Sequence, residues 1–211
     1  MTTPVTQFNI VLPVTLEGSS VRLEPIRREH AEIFWNIAKD SLDDIFQWIP
    51  YRMKTREDFD RLVDKIFDEQ HCLESMAFAT VERSSGKVVG STRFMNIDRI
   101  NRRVEIGSTW IVPQWQRSVV NTEAKYLMLR YAFEVWGCVR VELKTDALNQ
   151  KSRNTILRIG AKEEGTLRRH VITWTGRIRD SVYFSILDSE WPEVKVRLET
   201  MLAPRAALKN V

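Results

Sequence analysis

Cysteine is scarce in this chain. Its 211 residues contain two, Cys72 and Cys138, too few for a disulfide framework and not spaced as a C-x-x-C pair. Both are read as reduced thiols. Histidine is nearly as rare, with three residues, and His71 beside Cys72 is a ligand pair short of the three or four donors a metal site needs, so no metal is expected. No apolar run approaches the roughly 18 residues of a membrane helix. Met1 to Val11 lack the charged start and apolar core of a secretory signal. A cytoplasmic chain with no membrane partner is therefore expected. There is no polylysine tract, and a net charge of +4 suits a small polyanion at least as well as nucleic acid, which ranks last among the partners considered. Internal repeats and low-complexity stretches are absent as well.

What is present is enough apolar residue, 43%, to bury one substantial core, so a single domain over 1–211 is expected, its core spanning about 9–202 between mobile ends. The seven tryptophans are scattered and assigned to the core or a cleft wall. Val21 to Pro25 alternates like a half-buried strand, and His30, Ile33, Phe34 and Ile37 then recur at helical spacing. A second helix is expected over Arg56 to Glu69, and the aromatic stretch Asp43 to Pro50 between them is read as a loop or helical turn. Met76 to Glu82, Val88 to Asn96 and Val104 to Val112 read as an antiparallel meander turned at Ser84 to Lys87. After Pro113 the stripe Ala124, Leu127, Met128, Tyr131, Ala132 and Val135 predicts a helix beginning near Glu123 and stopping at Gly137.

Val139 to Lys144 alternates as a strand parallel to the one before that helix. A short helix, Ser152 to Arg158, then closes at Gly160. Thr166 to Trp174 and Arg179 to Leu187 predict a hairpin through Thr175 and Gly176, Val194 to Leu202 a last helix, and Ala203 to Val211 a frayed tail. The order implies an α+β fold around a mixed sheet with a break that accepts a ligand.

The break is best sought where Glu105 to Pro113 runs through Gln114 to Thr122 into a helix. A strand feeding a polar loop and a helix start presents unpaired N–H groups and the positive end of the helix dipole, which together bind anions. Arg117 adds charge there and Ser118 and Thr122 add hydroxyls. The plain alternative is a strand-to-helix connection capped by Asn121, and the residues alone leave the two level.

The run Glu-Ile-Gly-x-x-Trp-Ile-x-Pro over 105–113, followed by Thr-Glu-Ala-x-x-Leu-x-x-x-Tyr-Ala-Phe-Glu over 122–134, resembles the cofactor motif of the GNAT N-acetyltransferases, particularly their ribosomal-protein N-terminal (RimJ/RimL-like) branch. The likeness continues through Asn149 to Ser152 and Arg158 to Gly160 into the final hairpin, spanning Val21 to Trp191. It implies a largely antiparallel mixed sheet flanked by helices, whose splayed parallel strand pair holds acetyl-CoA, with no metal. The cofactor would lie along Trp110, Ile111 and Val112, on Gln116, Arg117, Ser118, Val119, Val120, Asn121 and Thr122, and against Asn149 and Ser152. The family loop reads Gln/Arg-x-x-Gly-x-Gly/Ala, and here Val119 and Asn121 stand where small residues are expected, so the loop loses glycine's close approach to phosphate.

Amine acetylation must remove a proton from an ammonium, stabilise an oxyanion and protonate a thiolate. Glu105 is the candidate base: it lies six residues before Ile111, about 20 Å along a strand, and at the family's spacing before Gln116. A solvated glutamate, or one paired with Arg102 or Arg103, is the plain alternative. The resemblance implies an oxyanion donor among the N–H groups near Trp110 and Ile111. The family's tyrosine acid is replaced by Ile156, so the proton for the thiolate is assigned to Ser152, which could equally be a helix cap. Asn149 would bond the pantetheine arm or simply form a turn. The acceptor would be a protein N-terminus or a small-molecule amine, attacking directly in a ternary complex. It would bind between the Phe46-Gln-Trp48 loop and the hairpin carrying His170, Trp174 and Arg177. A non-catalytic acyl-CoA sensor is the rival, motivated by the missing glycines and tyrosine, and a homodimer is left open.

Overall fold

A computed structural model describes residues 13–203. The stretch before residue 13 and the tail beyond Ala203 lie outside the described residues. Eight strands form one sheet in the order β1-β2-β3-β4-β5-β6-β8-β7. They are β1 (Leu16–Glu17), β2 (Val21–Pro25), β3 (Met76–Glu82), β4 (Lys87–Asp98), β5 (Arg103–Ile111), β6 (Arg140–Asp146), β7 (Lys162–Ile172) and β8 (Ile178–Leu187). β2 begins the alternation expected of it, Val21 and Leu23 being fully buried, and β3 to β5 form the expected meander. Every neighbouring pair is antiparallel except β5 and β6, which run parallel. β1 has no counterpart in the sequence reading, because two residues carry no periodicity.

Three helices, α1 (His30–Ala38), α2 (Leu42–Phe46) and α3 (Arg56–His71), precede the meander. α3 starts in a capping box, the Thr55 and Asp58 side chains bonding each other's backbone N–H. Adjacent residues of β4 point to opposite faces, and they sort the helices. Arg93 reaches Glu69 of α3, whereas Phe94 packs on Tyr131 and Trp136 at the end of α4 (Val119–Arg130). α1 to α3 thus cover one face of the sheet. α4 covers the other with α6 (Trp191–Leu202), joined by Tyr126 bonding Glu199 and Phe133 stacking on Trp191. A third element on that side, α5 (Gln150–Arg158), ends at Gly160, where φ is +103° and a Cβ would stand 2.9 Å from Val194.

Three boundaries correct the sequence reading. α4 begins at Val119, not near Glu123, because Ser118 rather than Asn121 is its N-cap, its Oγ accepting the Val120 N–H at 3.3 Å. α5 is capped by Asn149, whose Oδ1 accepts the Ser152 N–H at 3.0 Å, so Ser152 sits inside the first turn. Trp174 leaves the hairpin ladder because its N–H donates to Pro50 O at 2.9 Å. Of the tryptophans, Trp110, Trp136 and Trp191 are buried, whereas Trp174 is exposed.

Candidate active site

The parallel pair β5 and β6 stays in register for only three residues, ending at Glu105 opposite Glu142. Beyond that point β6 pairs with β8 alone and β5 with β4 alone, so a gap opens in the sheet. β5 also bulges. Gly107 faces Arg93 and Trp110 faces Ser91, leaving one extra residue on β5, and Ser108 there adopts φ +50°. Past the bulge the Val112 N–H bonds Val89 O at 2.9 Å. By alternation the backbone of Ile111 then points away from β4 into the gap, and its carbonyl accepts from Gln116 Nε2 at 2.9 Å. Trp110 packs its ring edge-on to Phe34 and Phe46 on the α1–α3 face.

The gap runs toward the start of α4. The first-turn N–H groups of a helix lack intrahelical partners, and here they belong to Val119, to Val120, which donates to the Ser118 cap, and to Asn121. Arg117 takes φ +62° immediately before the cap, and its side chain is exposed. α5 adds two cations seven residues apart on one face: Lys151 bonds Gln116 Oε1, and Arg158 donates to Thr122 Oγ1 at 2.8 Å. Three positive side chains therefore surround one helix N-terminus, an arrangement suited to a polyphosphate. Val119 is 45% exposed over that end, and Asn121 Oδ1 is buried without a hydrogen-bond partner among the described residues.

Glu105 stands at the crotch where the strands part. It lies opposite Met95, two residues from Arg93 on β4, and so faces the α1–α3 side. Its carboxylate is 2% exposed and accepts from Asn96 Nδ2 at 2.8 Å and Lys144 Nζ at 2.9 Å. The partner is thus Lys144 across the parallel pair, while Arg103 pairs with Asp98 and Glu142. On the far wall Asn149 and Ser152 share the α5 cap, and Ile156 is buried.

The loop after α2 and the tip of the hairpin meet, as their aromatic content suggested. Arg179 donates to Trp48 O at 3.2 Å, and Arg177 lies 5.8 Å from the Trp48 ring centroid while bonding Asp146 at the end of β6. They enclose a cavity of about 340 Å³ lined in part by Phe46, Ile49, Met53, Trp174 and Arg177. His170 does not line it; its ring packs edge-on to Tyr183 at 5.8 Å.

Sequence reasoning missed four side chains here. Tyr51 Oη lies 2.7 Å from Ser108 Oγ on the bulge. Lys151 and Arg158 carried a signal, their seven-residue spacing on one helix. Lys125 carried another, since it shares a helical face with the buried Met128, Leu129 and Ala132; burial pushes its pKa down to about 7. Cys138 is buried and its thiol is pushed up to about 12 by desolvation, whereas Cys72 is exposed. No group of three or more potential metal ligands gathers among the described residues.

A family model described as an acetyltransferase (GNAT) domain matches residues 20–162. The chain is similar to the putative ribosomal N-acetyltransferase YdaF of Bacillus subtilis (strain 168), with 36% identity over 106 residues, 50% of this chain and 57% of that protein. It thus spans little more than half the length of this curated relative. A GCN5-related N-acetyltransferase from Brucella melitensis superposes with a TM-score of 0.83 at 34% identity over 92% of this chain and 87% of its own. The fold is also that of Mycobacterium smegmatis RimJ in complex with CoA-disulfide, at 21% identity and a TM-score of 0.79 over 90% of this chain and 95% of the other.

Proposed function

The chain belongs to the GNAT acetyltransferase family, and from that premise we propose that it transfers acetyl from acetyl-CoA to a primary amine by direct attack in a ternary complex. The observation that carries this reading is the opened β5–β6 gap leading onto a helix N-terminus flanked by Arg117, Lys151 and Arg158. A pyrophosphate fits that end: helix N–H groups, a dipole and three cations all favour it. The cosubstrate then runs along Ile111 and Val112 with its thioester beside the Ile111 N–H, which takes the oxyanion. Asn149 and Ser152 form the opposite wall, and Ser152 supplies the proton to the departing thiolate. Glu105, fixed by Lys144 and Asn96, draws the proton from the acceptor ammonium, directly or through water.

The acceptor enters from the α1–α3 face, where Glu105 and the Trp48–Arg177 contact lie. A protein N-terminus is the acceptor we favour, supported by the word ribosomal in the name of the Bacillus subtilis relative and by the exposure of the edge strand β7. We place the reaction in the cytoplasm, with the name of the Bacillus subtilis relative, a putative ribosomal N-acetyltransferase, as support. No helix of the described residues is long and apolar enough to cross a membrane.

The test is calorimetric titration with acetyl-CoA, followed by free-thiol release with a panel of peptide N-termini and small amines. Binding together with thiol release from at least one peptide supports the reading. Binding without release from any acceptor would make the protein an acyl-CoA sensor instead, and release confined to small amines would move the acceptor class.

A further inference from the structure

α4 buries two charged-type side chains, Glu123 and Lys125. Glu123 is accounted for by the Ser19 and Ser20 N–H groups, each 2.7 Å from its carboxylate. Lys125 has no carboxylate partner among the described residues. Its Nζ lies 2.6 Å from Thr109 Oγ1 and 3.4 Å from Thr92 Oγ1, the two hydroxyls are 2.7 Å apart, and Thr92 also contacts Met128 Sδ at 3.6 Å. One amine thus knots α4, β4 and β5 together.

The place of the knot gives it meaning. Thr109 directly follows Ser108, the bulge residue that interrupts pairing between β5 and β4. A bulge forfeits ladder bonds, and the strand beyond it also lacks β6 on its other side. The segment that carries the Ile111 N–H is therefore held in the sheet from the β4 side alone, and Lys125 ties it from behind. A methionine or leucine would fill the same space without burying an amine, so packing alone does not account for lysine here.

We propose that Lys125 is a positioning residue for acyl transfer: through the Thr109 hydroxyl its ε-amine holds the bulged part of β5 so that the Ile111 N–H points into the gap. The role in transfer rests on the function proposed above; the positioning does not. The other charged groups of the surrounding elements are turned elsewhere. Glu123 caps the β1–β2 turn, Arg158 bonds Thr122, Arg130 lies over the Tyr126 ring, and Arg93 and Glu105 face the opposite side with Glu69 and Lys144. No carboxylate among the described residues pairs with the amine, consistent with a pKa lowered to about 7 by burial. Protonation below that pH places an unpaired charge in the knot and loosens it.

The experiment compares the full chain with Lys125→Met and Thr109→Val by amide hydrogen exchange, urea unfolding, acetyl-CoA titration and thiol release across pH. Both variants should exchange the Thr109 to Ile111 amides about tenfold faster while the global unfolding midpoint of Lys125→Met does not fall. Acetyl-CoA affinity should change less than about threefold and turnover should drop about tenfold. The wild-type loss of turnover as pH falls through about 7 should be absent in Lys125→Met. Unchanged exchange at Thr109 to Ile111 in both variants overturns the proposal, as does full turnover of Lys125→Met with an unaltered pH profile. If the wild type binds acetyl-CoA but releases no thiol with any amine, the functional reading fails, and the exchange data still decide the positioning.

Discussion

Glu105 and Lys125 are both buried beside the same strand, yet their surroundings treat charge in opposite ways. Glu105 is given a cation and an amide donor, so it sits as a paired carboxylate at the crotch of the gap. Glu105→Gln should lower thiol release by about 10²-fold, the lower end for loss of a general base, with acetyl-CoA affinity unchanged by calorimetry. Lys144 is 27% exposed and can rehydrate, so Glu105→Ala should cost less than the roughly 3–5 kcal/mol of breaking a fully buried pair. Lys125 has only hydroxyls, and its pKa falls from 10.5 to about 7. Below about 7 the folded and unfolded chains are both protonated and the fold carries the whole cost of a buried ammonium. Between about 7 and 10.5 the unfolded chain holds a proton the fold lacks, so stability rises with pH across that window. Lys125→Met should therefore stabilise the protein by an amount on the order of a few kcal/mol at pH 6, and by less at pH 9, in urea unfolding.

At the scale of the element, α4 shows what a glycine-poor loop becomes. Ser118 caps the helix and Arg117 takes the left-handed conformation before it, so Val119 sits in ordinary helical backbone and needs no glycine for its torsions. What valine adds is bulk over the helix end, where it is 45% exposed. Val119→Gly should tighten acetyl-CoA binding severalfold in calorimetry while costing up to about 1 kcal/mol of helix propensity. The helix is anchored by Glu123, whose carboxylate would collide with a Cβ at Gly18. Glu123→Ala strands two backbone donors and should cost about 2–3 kcal/mol in urea unfolding, with acetyl-CoA affinity little changed. The apolar stripe made α4 legible in the sequence, but its start was placed too late: Val120 continues the stripe one turn before Ala124, and only the Ser118 hydroxyl marks the cap.

At the scale of the molecule, the hairpin of β7 and β8 is braced against the loop after α2 and the end of β6 by Arg177, which touches both Trp48 and Asp146. Arg177→Ala should raise the KM for the acceptor by about tenfold and leave that for acetyl-CoA within about twofold, a split that steady-state kinetics reads directly. Most element types, their order and the parallel crossover followed from the sequence alone, since periodicity and turn residues are local properties. Only the tertiary structure decided that Glu105 pairs with Lys144 rather than Arg102 or Arg103, that α5 brings Lys151 and Arg158 to the start of α4, and that Lys125 lies behind the bulge. Each depends on where the sheet parts after Glu105 and which face each strand turns to which helix, and those are set by the packing of elements far apart in the chain.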